Sequence, residues 1–423
     1  MTSSPVRCPF QGGVPNLADP GLFRDGDPHA IWRHQRQTEP VSRQYTAEGL
    51  GFWSVSRYAD VDLVLRDHEV FTSEQGTMLL LLGRGDPAGG RQMTVTDPPR
   101  HGELRDPVQR ALRAKPIEAR SEQMREAIVE LLAPLADGGT YDLAAYMARV
   151  PMAVIGSIMA LPRADWPRLA ELSLATVAPA DPALGWEGDA ESVLNDAHRE
   201  LFAYFVELVG HRHNHPGDDL VSLLLGMTRD GRPLTMGEIV SNCYGLLVGA
   251  NATTGQVVLN TLADTMGTAA LAEWAESPGL LFSGVEEALR WATPTLHFMR
   301  HARTDVKLGG RLIRAGDAVV VWLGSANRDE DVFTDPYTFD VRRRPNRHLT
   351  FGSGPHYCVG HSVARVALRL LFAELFTRYH DFAPAGPAVR LYSNIISGWT
   401  RMPITARVRP PAHRPLSSES QGR

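Results

Sequence analysis

The chain has 423 residues, of which 43% are hydrophobic and 22% are charged, a composition that is ordinary for a soluble globular protein. Its formal net charge of −5 argues against nucleic-acid binding. Three cysteines, Cys8, Cys243 and Cys358, are too few and too scattered for a disulfide framework. The first residues lack the regions of a signal peptide, and no apolar run approaches the ~20 residues of a membrane span. We therefore expect a cytoplasmic protein that contacts neither membrane nor nucleic acid.

The N-terminal half predicts helices that are separated by loops. Residues 1–30 are rich in proline, glycine and aspartate, which predicts an irregular arm. Residues 52–55 alternate apolar and polar side chains, as a half-buried strand does. Residues 76–90 combine a leucine run with glycine and proline, and long loops of this kind are usually functional or disordered. Helical patterns cover residues 30–37, 58–67, 120–135, 143–160, 164–176, 190–212 and 217–228.

The remaining elements predict the fold class. Asp97-Pro98-Pro99 opens a helix, because proline in the first turn lacks only an N–H that the helix does not use. Residues 236–266 are predicted to be one long, mostly apolar helix. Further helices are expected within 270–291 and 358–379, and short strands at 306–308, 311–313, 318–322, 389–393 and 402–408. The strand–helix alternation of a doubly wound sheet is missing from the pattern. The expected class is mainly α with a minor β portion.

One stretch near the C-terminus carries a candidate metal ligand: Phe351-Gly352-Ser353-Gly354-Pro355-His356-Tyr357-Cys358-Val359-Gly360. Its glycines and proline predict a tight loop, with Cys358 just ahead of a helix N-terminus that favours a thiolate. No second cysteine stands within four residues, so the usual zinc pairing is missing, whereas a single thiolate suits haem iron. Taken alone, a free cysteine is more often a small buried hydrophobe.

The whole segment resembles the haem-binding loop of the cytochrome P450 family, Phe-x-x-Gly-x-His/Arg-x-Cys-x-Gly, at every fixed position. The resemblance extends from Trp53 to Met402. It implies a single triangular-prism domain over residues 1–409, with haem b between the helix at 236–266 and the Cys358 loop, and we expect residues 410–423 to be a disordered tail. The implied cofactor-binding residues are the iron ligand Cys358, then Phe351, Gly352, Gly360 and Ala250 beside the macrocycle, and His101, Arg105, Arg300 and His356 at the propionates.

A second motif has a structural role in the family. Glu287 and Arg290 stand three residues apart on one helical face. They match the family's Glu-x-x-Arg pair, which binds an arginine that corresponds to Arg343 here. From the residues alone, a solvated surface pair of little energetic value is the alternative.

A third motif departs from the family. Thr253 matches the threonine that offers a hydroxyl beside dioxygen, but the acid that precedes it in the family is Ala252 in this chain. We therefore expect ordered waters, Asn251 or a substrate group to supply protons. The alternative is that Thr253 only bonds back to a helix carbonyl.

Substrate contacts follow only from family position. The expected pocket residues are Leu81, Leu246, Gly249, Thr295, Leu296, His297, Phe298, Ile395 and Ile396. His297 either bonds a polar group of the substrate or is a satisfied wall residue.

The implied activity is a monooxygenase that hydroxylates or otherwise oxidises a small or carrier-protein-bound molecule in secondary metabolism. Electrons would come from a ferredoxin and ferredoxin reductase, and we expect a monomer. Four arginines are candidates for docking the acidic electron carrier: Arg110, Arg113, Arg365 and Arg369. The alternatives are oxidative coupling or peroxide use, which tolerate the missing acid, a non-catalytic recruitment protein, and a haem-based sensor.

Overall fold

The computed structural model describes residues 16–410, and helices make up the largest part of them. The helices are α1 Pro20–Asp25, α2 Pro28–Thr38, α3 Tyr58–Arg66, α4 Arg100–Ala111, α5 Ala114–Glu118, α6 Ser121–Leu132, α7 Leu143–Met147, α8 Val150–Ile158, α9 Trp166–Val177, α10 Ala190–Asn214, α11 Leu220–Leu225, α12 Met236–Asn251, α13 Thr254–Thr265, α14 Ala269–Glu276, α15 Leu281–Ala292, α16 Leu323–Ala326 and α17 His361–Arg378. The predicted class, mainly α with a minor β portion, is confirmed.

The strands form small sheets at the edges of the helical body. They are β1 Val41–Tyr45, β2 Gly51–Val55, β3 Phe71–Thr72, β4 Tyr141–Asp142, β5 Thr228–Arg229, β6 Arg232–Pro233, β7 His297–Ala302, β8 Val306–Leu308, β9 Arg311–Ile313, β10 Ala318–Trp322, β11 Tyr379–Pro384, β12 Val389–Arg390, β13 Trp399–Arg401 and β14 Pro403–Val408. The largest sheet has five strands in the order β1-β2-β10-β7-β3, with β2 and β10 parallel and the other neighbours antiparallel. A four-residue connection joins the end of α15 to the start of β7.

The predicted long helix at 236–266 is interrupted. It begins at a capping box, in which Thr235 and Glu238 bond each other's backbone N–H groups. It then stops at Asn251, and α13 begins at Thr254. Thr253 leaves the ideal helical geometry, with φ −117°, and its hydroxyl donates to the carbonyl of Gly249 at 2.9 Å. Side-chain bonding of this kind competes with the helical ladder and bends helices.

The predictions for the two chain ends and for one strand differ from the structure or lie outside the described residues. The arm predicted for residues 1–30 contains α1 and the start of α2, because Asp19 and Asp27 cap them and proline follows each cap. Residues 1–15 and 411–423, including most of the predicted tail, lie outside the described residues. The strand β7 was not predicted, since five of its six residues are buried and it shows no alternation.

Two apolar cores flank the centre of the helical body. One contains Leu247 of α12 and Val366 of α17. The other contains Val258 of α13 and Leu371 of α17. Packing in these cores holds α12 and α13 on one side of an interior cavity and the start of α17 on the other side. Within residues 16–410, none of the helices combines the length and the apolarity needed to cross a bilayer.

Candidate active site

A cavity of about 980 Å³ lies between α12–α13 and the loop that precedes α17. Most of its wall is apolar, and residues from the segment 77–95, from α9 and α10, and from the loop between β12 and β13 close it. Cys358 and Gly360 form part of one wall, and Gly249, Ala250 and Thr253 form part of the opposite wall. The structure therefore brings the predicted metal ligand and the predicted threonine to one enclosed space.

The loop that carries Cys358 is fixed by its glycines. Gly352 and Gly354 have φ of +72° and +70°, which side-chain-bearing residues rarely adopt. A Cβ at Gly354 would also lie 2.7 Å from the Cα of Arg66, so only glycine fits there. The backbone N–H of Cys358 donates to the carbonyl of Phe351 at 2.8 Å. These contacts hold the sulfur at the N-terminal end of α17.

The thiol of Cys358 has opposing electrostatic influences. Burial raises its pKa, whereas backbone N–H groups of Gly360 and His361 and the guanidinium of Arg105 act in the opposite direction. A metal ion deprotonates a coordinating thiol outright. The surrounding donors would then stabilise the thiolate.

The four predicted propionate partners gather along one side of the cavity: His101, Arg105, Arg300 and His356. The rings of His101 and His356 lie 4.3 Å apart, and Arg105 donates to the carbonyl of Tyr357. Arg300 is only 3% exposed and donates to the carbonyl of Met299. Within residues 16–410, neither arginine has a carboxylate at ion-pair distance.

Burial lowers the pKa values in this group, and the nearby Asp97 offsets the effect only in part. Burial lowers the pKa of Arg300 to about 10, so it remains charged at neutral pH. Burial, together with the nearby His356 and Arg105, lowers the pKa of His101 to about 3. A buried cation without a counterion is costly. The site is therefore suited to an anionic ligand with more than one negative oxygen.

Asp97 positions one member of this group, His356, a role that its sequence position did not reveal. Its carboxylate accepts from the Ser73 hydroxyl at 2.6 Å, pairs with Arg303, and lies 3.6 Å from His356 Nε2. Burial acts to raise its pKa, but hydrogen bonds from His356, Ser73 and Thr72 hold the pKa well below its usual range. An acid ahead of two prolines reads only as the start of a helix, which is why the sequence did not single it out.

The walls of the cavity also fit a flat macrocycle. A Cβ built at Gly249 meets no atom within 4 Å, and one built at Gly360 meets only the sulfur of Cys358, at 3.9 Å. Space is thus open above the sulfur and below α12. A soft ligand, an open slot and buried cations for two carboxylates together match the donor set of an iron porphyrin.

The hydroxyl of Thr253 is directed to its own helix, as the back-bonding alternative predicted, although the residue lines the cavity. Ala252 is 8% exposed and offers no proton. Asn251 does not line the cavity, because its amide is directed to the carbonyl of Ala170 on α9 at 3.4 Å. The expectation that Asn251 relays protons is therefore corrected.

Most of the predicted substrate residues line the cavity, namely Leu81, Leu246, Gly249, Thr295, Phe298, Ile395 and Ile396. Leu296 and His297 do not. Leu296 packs in the core beneath the large sheet. His297 is fully buried, accepts from the Leu79 N–H at 3.0 Å and bonds the Asn394 carbonyl at 2.9 Å. His297 is thus a satisfied core residue behind the cavity wall, with both ring nitrogens bonded and none left for a substrate.

Comparison with known proteins identifies the family. The family model described as Cytochrome P450 matches residues 280–386. Cytochrome P450 NovI of Streptomyces niveus is 35% identical over 412 residues, which cover 96% of this chain and 99% of NovI. The chain belongs to the cytochrome P450 family.

Two further relatives of this P450 have informative names. Linalool 8-monooxygenase of Pseudomonas putida is 33% identical, over 91% of this chain and 97% of that enzyme. The crystal structure of P450 OxyD, involved in the biosynthesis of vancomycin-type antibiotics, is 30% identical with a TM-score of 0.83, and the match covers 93% of this chain and 100% of OxyD. The chain is a cytochrome P450 monooxygenase, with haem iron as its cofactor.

In this P450 the Glu-x-x-Arg pair is buried rather than solvated. Glu287 and Arg290 are both 0% exposed and form two hydrogen bonds, of 2.7 and 2.8 Å. Arg343 reaches the same carboxylate at 3.2 Å, and Asn346 and the Asp340 N–H complete its shell. Every acceptor position of the carboxylate is thus used, which is the condition for a stable buried ion network.

The arginines predicted to dock an electron carrier are not equivalent. Arg365 makes a bidentate pair with Glu286, at 2.7 and 2.9 Å, and its guanidinium covers the ring of Phe351. It therefore supports the Cys358 loop and is not free for a partner. Arg369 stacks on Phe282, a side chain that is 63% exposed.

Proposed function

We propose that this P450 binds haem b through Cys358 and hydroxylates a small, largely apolar molecule in secondary metabolism, with electrons from a ferredoxin and its reductase. One observation carries the proposal. Cys358 and Thr253 line opposite walls of a cavity whose edge holds the buried Arg300, which pairs with no carboxylate of residues 16–410. Residues 1–409 are proposed to act as one domain and as a monomer. In support, β1 near the start and β14 near the end both pair with strands of the body.

The protein residues have separate tasks in this proposal. Haem, when bound, supplies the activation of dioxygen at its iron, which a thiolate ligand favours. Cys358 would hold the iron, and His101, Arg105, Arg300 and His356 would hold the carboxylates. The apolar wall excludes water and orients the substrate, so that a single carbon faces the reacting centre.

Proton supply would rest on hydroxyl groups and water. Thr253 Oγ1 keeps its proton on the carbonyl of Gly249, so its lone pairs are available to accept from a water in the cavity. Thr254 also lines the cavity, and its hydroxyl bonds the Ala250 carbonyl at 3.4 Å, a weak contact that is easily exchanged for water. Neither threonine hydroxyl replaces an ionisable acid. We therefore expect that some NAD(P)H is consumed without forming product.

The names of the relatives support the substrate class. OxyD takes part in antibiotic biosynthesis, and linalool 8-monooxygenase is named for a small apolar alcohol. A cavity of about 980 Å³ has room for haem and a molecule of modest size. Both observations favour a small organic substrate of secondary metabolism.

Two exposed arginines are the best candidates for the ferredoxin contact. Arg110 and Arg113 lie at the end of α4, the helix whose Arg105 touches the Cys358 loop. Neither forms an ion pair within the described residues, and exposed Lys115 follows them. A basic patch near the thiolate side complements an acidic electron carrier.

Reconstitution with haem b, a ferredoxin, its reductase and NAD(P)H tests the proposal against a panel of terpenoids and phenols. The expected product is heavier than its substrate by one oxygen atom, labelled when 18O2 is supplied. A product that has lost two hydrogens without gaining oxygen would establish oxidative coupling instead. Turnover with hydrogen peroxide alone, and none with ferredoxin, would establish a peroxide-using enzyme.

A further inference from the structure

The cavity contains one polar pair that the reaction does not use. His198 of α10 and Tyr244 of α12 both line it, and His198 Nε2 lies 2.9 Å from the Tyr244 hydroxyl. Their neighbours in the wall include the apolar Leu194, Val206 and Val248, and the polar side chains of Asp86 and Thr176. A polar pair in such a wall provides orientation and specificity for a ligand.

Aromatic packing fixes the position of this pair. The ring of Tyr244 stacks on Phe202 at 5.2 Å with planes 16° apart. The ring of His198 meets the Tyr244 ring edge-on at 5.4 Å. Side chains locked in this way keep their hydrogen-bonding groups in place before a ligand arrives.

The pair still has unused hydrogen-bonding capacity. Among the described residues, His198 Nδ1 has no partner, and the pair's only mutual bond uses Nε2. Asp86 also lines the cavity, and the one hydrogen bond that its carboxylate accepts from the described part of the chain is that of the Ala88 N–H, at 2.8 Å. Burial lowers the pKa of His198 and raises the pKa of Tyr244 to about 12, so both are neutral at neutral pH. The pair thus suits a neutral polar group that can both donate and accept.

We infer that His198 and Tyr244 bind a hydroxyl group of the substrate, which is an otherwise apolar alcohol or phenol. This inference rests on the proposed function for the nature of the reaction. A hydroxyl fits either tautomer of His198, because it donates to a bare nitrogen and accepts from a protonated one. Tyr244 precedes the end of α12 by seven residues, or about 10 Å along the helix axis, so the hydroxyl marks the end of the substrate remote from the oxidised carbon.

Calorimetric titration of the haem-loaded full chain tests this with matched probes. The probes are 4-butylphenol and 4-butyltoluene, which differ only by a hydroxyl in place of a methyl group, and octan-1-ol as the aliphatic alcohol. The variants are Tyr244→Phe, which keeps the stacking on Phe202, and His198→Phe. Tyr204→Phe is the control, since it removes a tyrosine hydroxyl from α10 that bonds Asp165 at 3.0 Å, outside the cavity wall.

The wild type is expected to bind 4-butylphenol about ten-fold more tightly than 4-butyltoluene, as one hydrogen bond in a buried site implies. Tyr244→Phe and His198→Phe should remove this preference and leave the affinity for 4-butyltoluene unchanged, while Tyr204→Phe keeps the preference. If Tyr244→Phe and His198→Phe also weaken the binding of octan-1-ol, the site extends to aliphatic alcohols. If the affinity for octan-1-ol stays unchanged in both variants, the site is restricted to phenols.

Equal affinity of the wild type for 4-butylphenol and 4-butyltoluene would overturn the inference. Parallel losses for both probes in Tyr244→Phe and His198→Phe would do the same, because they would reveal a merely structural pair. Calorimetry needs no turnover. A hydroxyl preference without oxidation would contradict the proposed function alone, and oxidation without the preference would contradict this inference alone.

Discussion

Ala252 determines how the cavity handles protons, because it leaves Thr253 without a neighbouring carboxylate. Its side chain packs with Ile395 and Ile396 and is 8% exposed. A carboxylate at this position would be desolvated, which raises its pKa and makes it a proton donor near neutral pH. We predict that Ala252→Asp lowers the number of NAD(P)H molecules consumed per product molecule. Ala252→Asn, which cannot titrate, should leave that ratio high; the same ratio in all three proteins would place the proton route elsewhere.

Arg300 is expected to destabilise the haem-free protein and to strengthen the binding of haem. Without an anion it is a buried cation with no carboxylate partner among the described residues, which costs roughly 1–3 kcal/mol. Arg300→Met should therefore raise the free energy of unfolding of the haem-free protein and speed the loss of haem to apomyoglobin about ten-fold. Arg314→Met, on an exposed side chain, is the control and should change neither. A variant that loses stability but keeps haem would show that Arg300 is only a structural residue.

At the scale of single residues, the sequence indicated the residues that line the cavity better than the residues that hold them in place. Cys358 and the four basic residues were predicted as cofactor ligands from the family resemblance, which rests on local motifs and spacings, and the structure brings them to one cavity. Asp97 was missed and His297 was misplaced, because the partners of both lie in distant parts of the chain. Hydrogen-bond satisfaction of that kind depends on tertiary structure and leaves no local pattern.

The helix α15 depends on the ion network around Glu287. Glu287→Gln keeps the shape but leaves Arg290 and Arg343 with an uncompensated buried charge. Breaking such a pair costs about 3–5 kcal/mol. We predict a loss of this size in the free energy of urea unfolding. The control is Arg342→Gln, whose partner Glu273 and whose own side chain are 41% and 64% exposed, and it should lose less than about 1 kcal/mol. Equal losses in the two variants would contradict a buried network.

At the scale of elements, periodicity predicted most helices but not the break within one of them. Residues 236–266 are mostly apolar along their whole length, so their pattern gives no sign that the ladder is interrupted at Ala252 and Thr253. The break arises from the bond between Thr253 and Gly249 and from the close approach of Gly255 to the carbonyl of Met147, where a Cβ would lie at 2.3 Å. Met147 ends α7, and only the packing of α7 against α13 in the folded chain makes that approach necessary.

At the scale of the whole molecule, the charge pattern predicts where a ferredoxin docks. Arg110→Glu with Arg113→Glu should lower the ferredoxin-supported rate about ten-fold at low salt, and the defect should shrink as salt rises, because screening weakens both attraction and repulsion. Stopped-flow reduction of the haem measures this rate. Lys307→Glu with Arg311→Glu, at exposed residues of β8 and β9, changes the net charge by the same amount and is the control. An equal defect in the control would mean that overall charge, not this patch, governs the rate.

The global arrangement was open to prediction only through the family resemblance. Strand order β1-β2-β10-β7-β3 joins segments that are more than 200 residues apart, and no local pattern encodes that pairing. The polar pair of His198 and Tyr244 likewise joins two helices and has no motif. The sequence therefore predicted the class, the loop that carries Cys358, the family and most of the cavity lining, whereas the pair of His198 and Tyr244 required the folded chain.

The most direct test of the account is the absorption spectrum of the reduced, carbonyl-bound protein, measured for the wild type, Cys358→Ser and Cys243→Ser. Cys243 is fully buried in the apolar core and serves as the matched control. The account predicts the red-shifted Soret band of a thiolate-ligated haem in the wild type and in Cys243→Ser, and its loss in Cys358→Ser. Retention of that band in Cys358→Ser, or a wild-type spectrum typical of imidazole ligation, would contradict it.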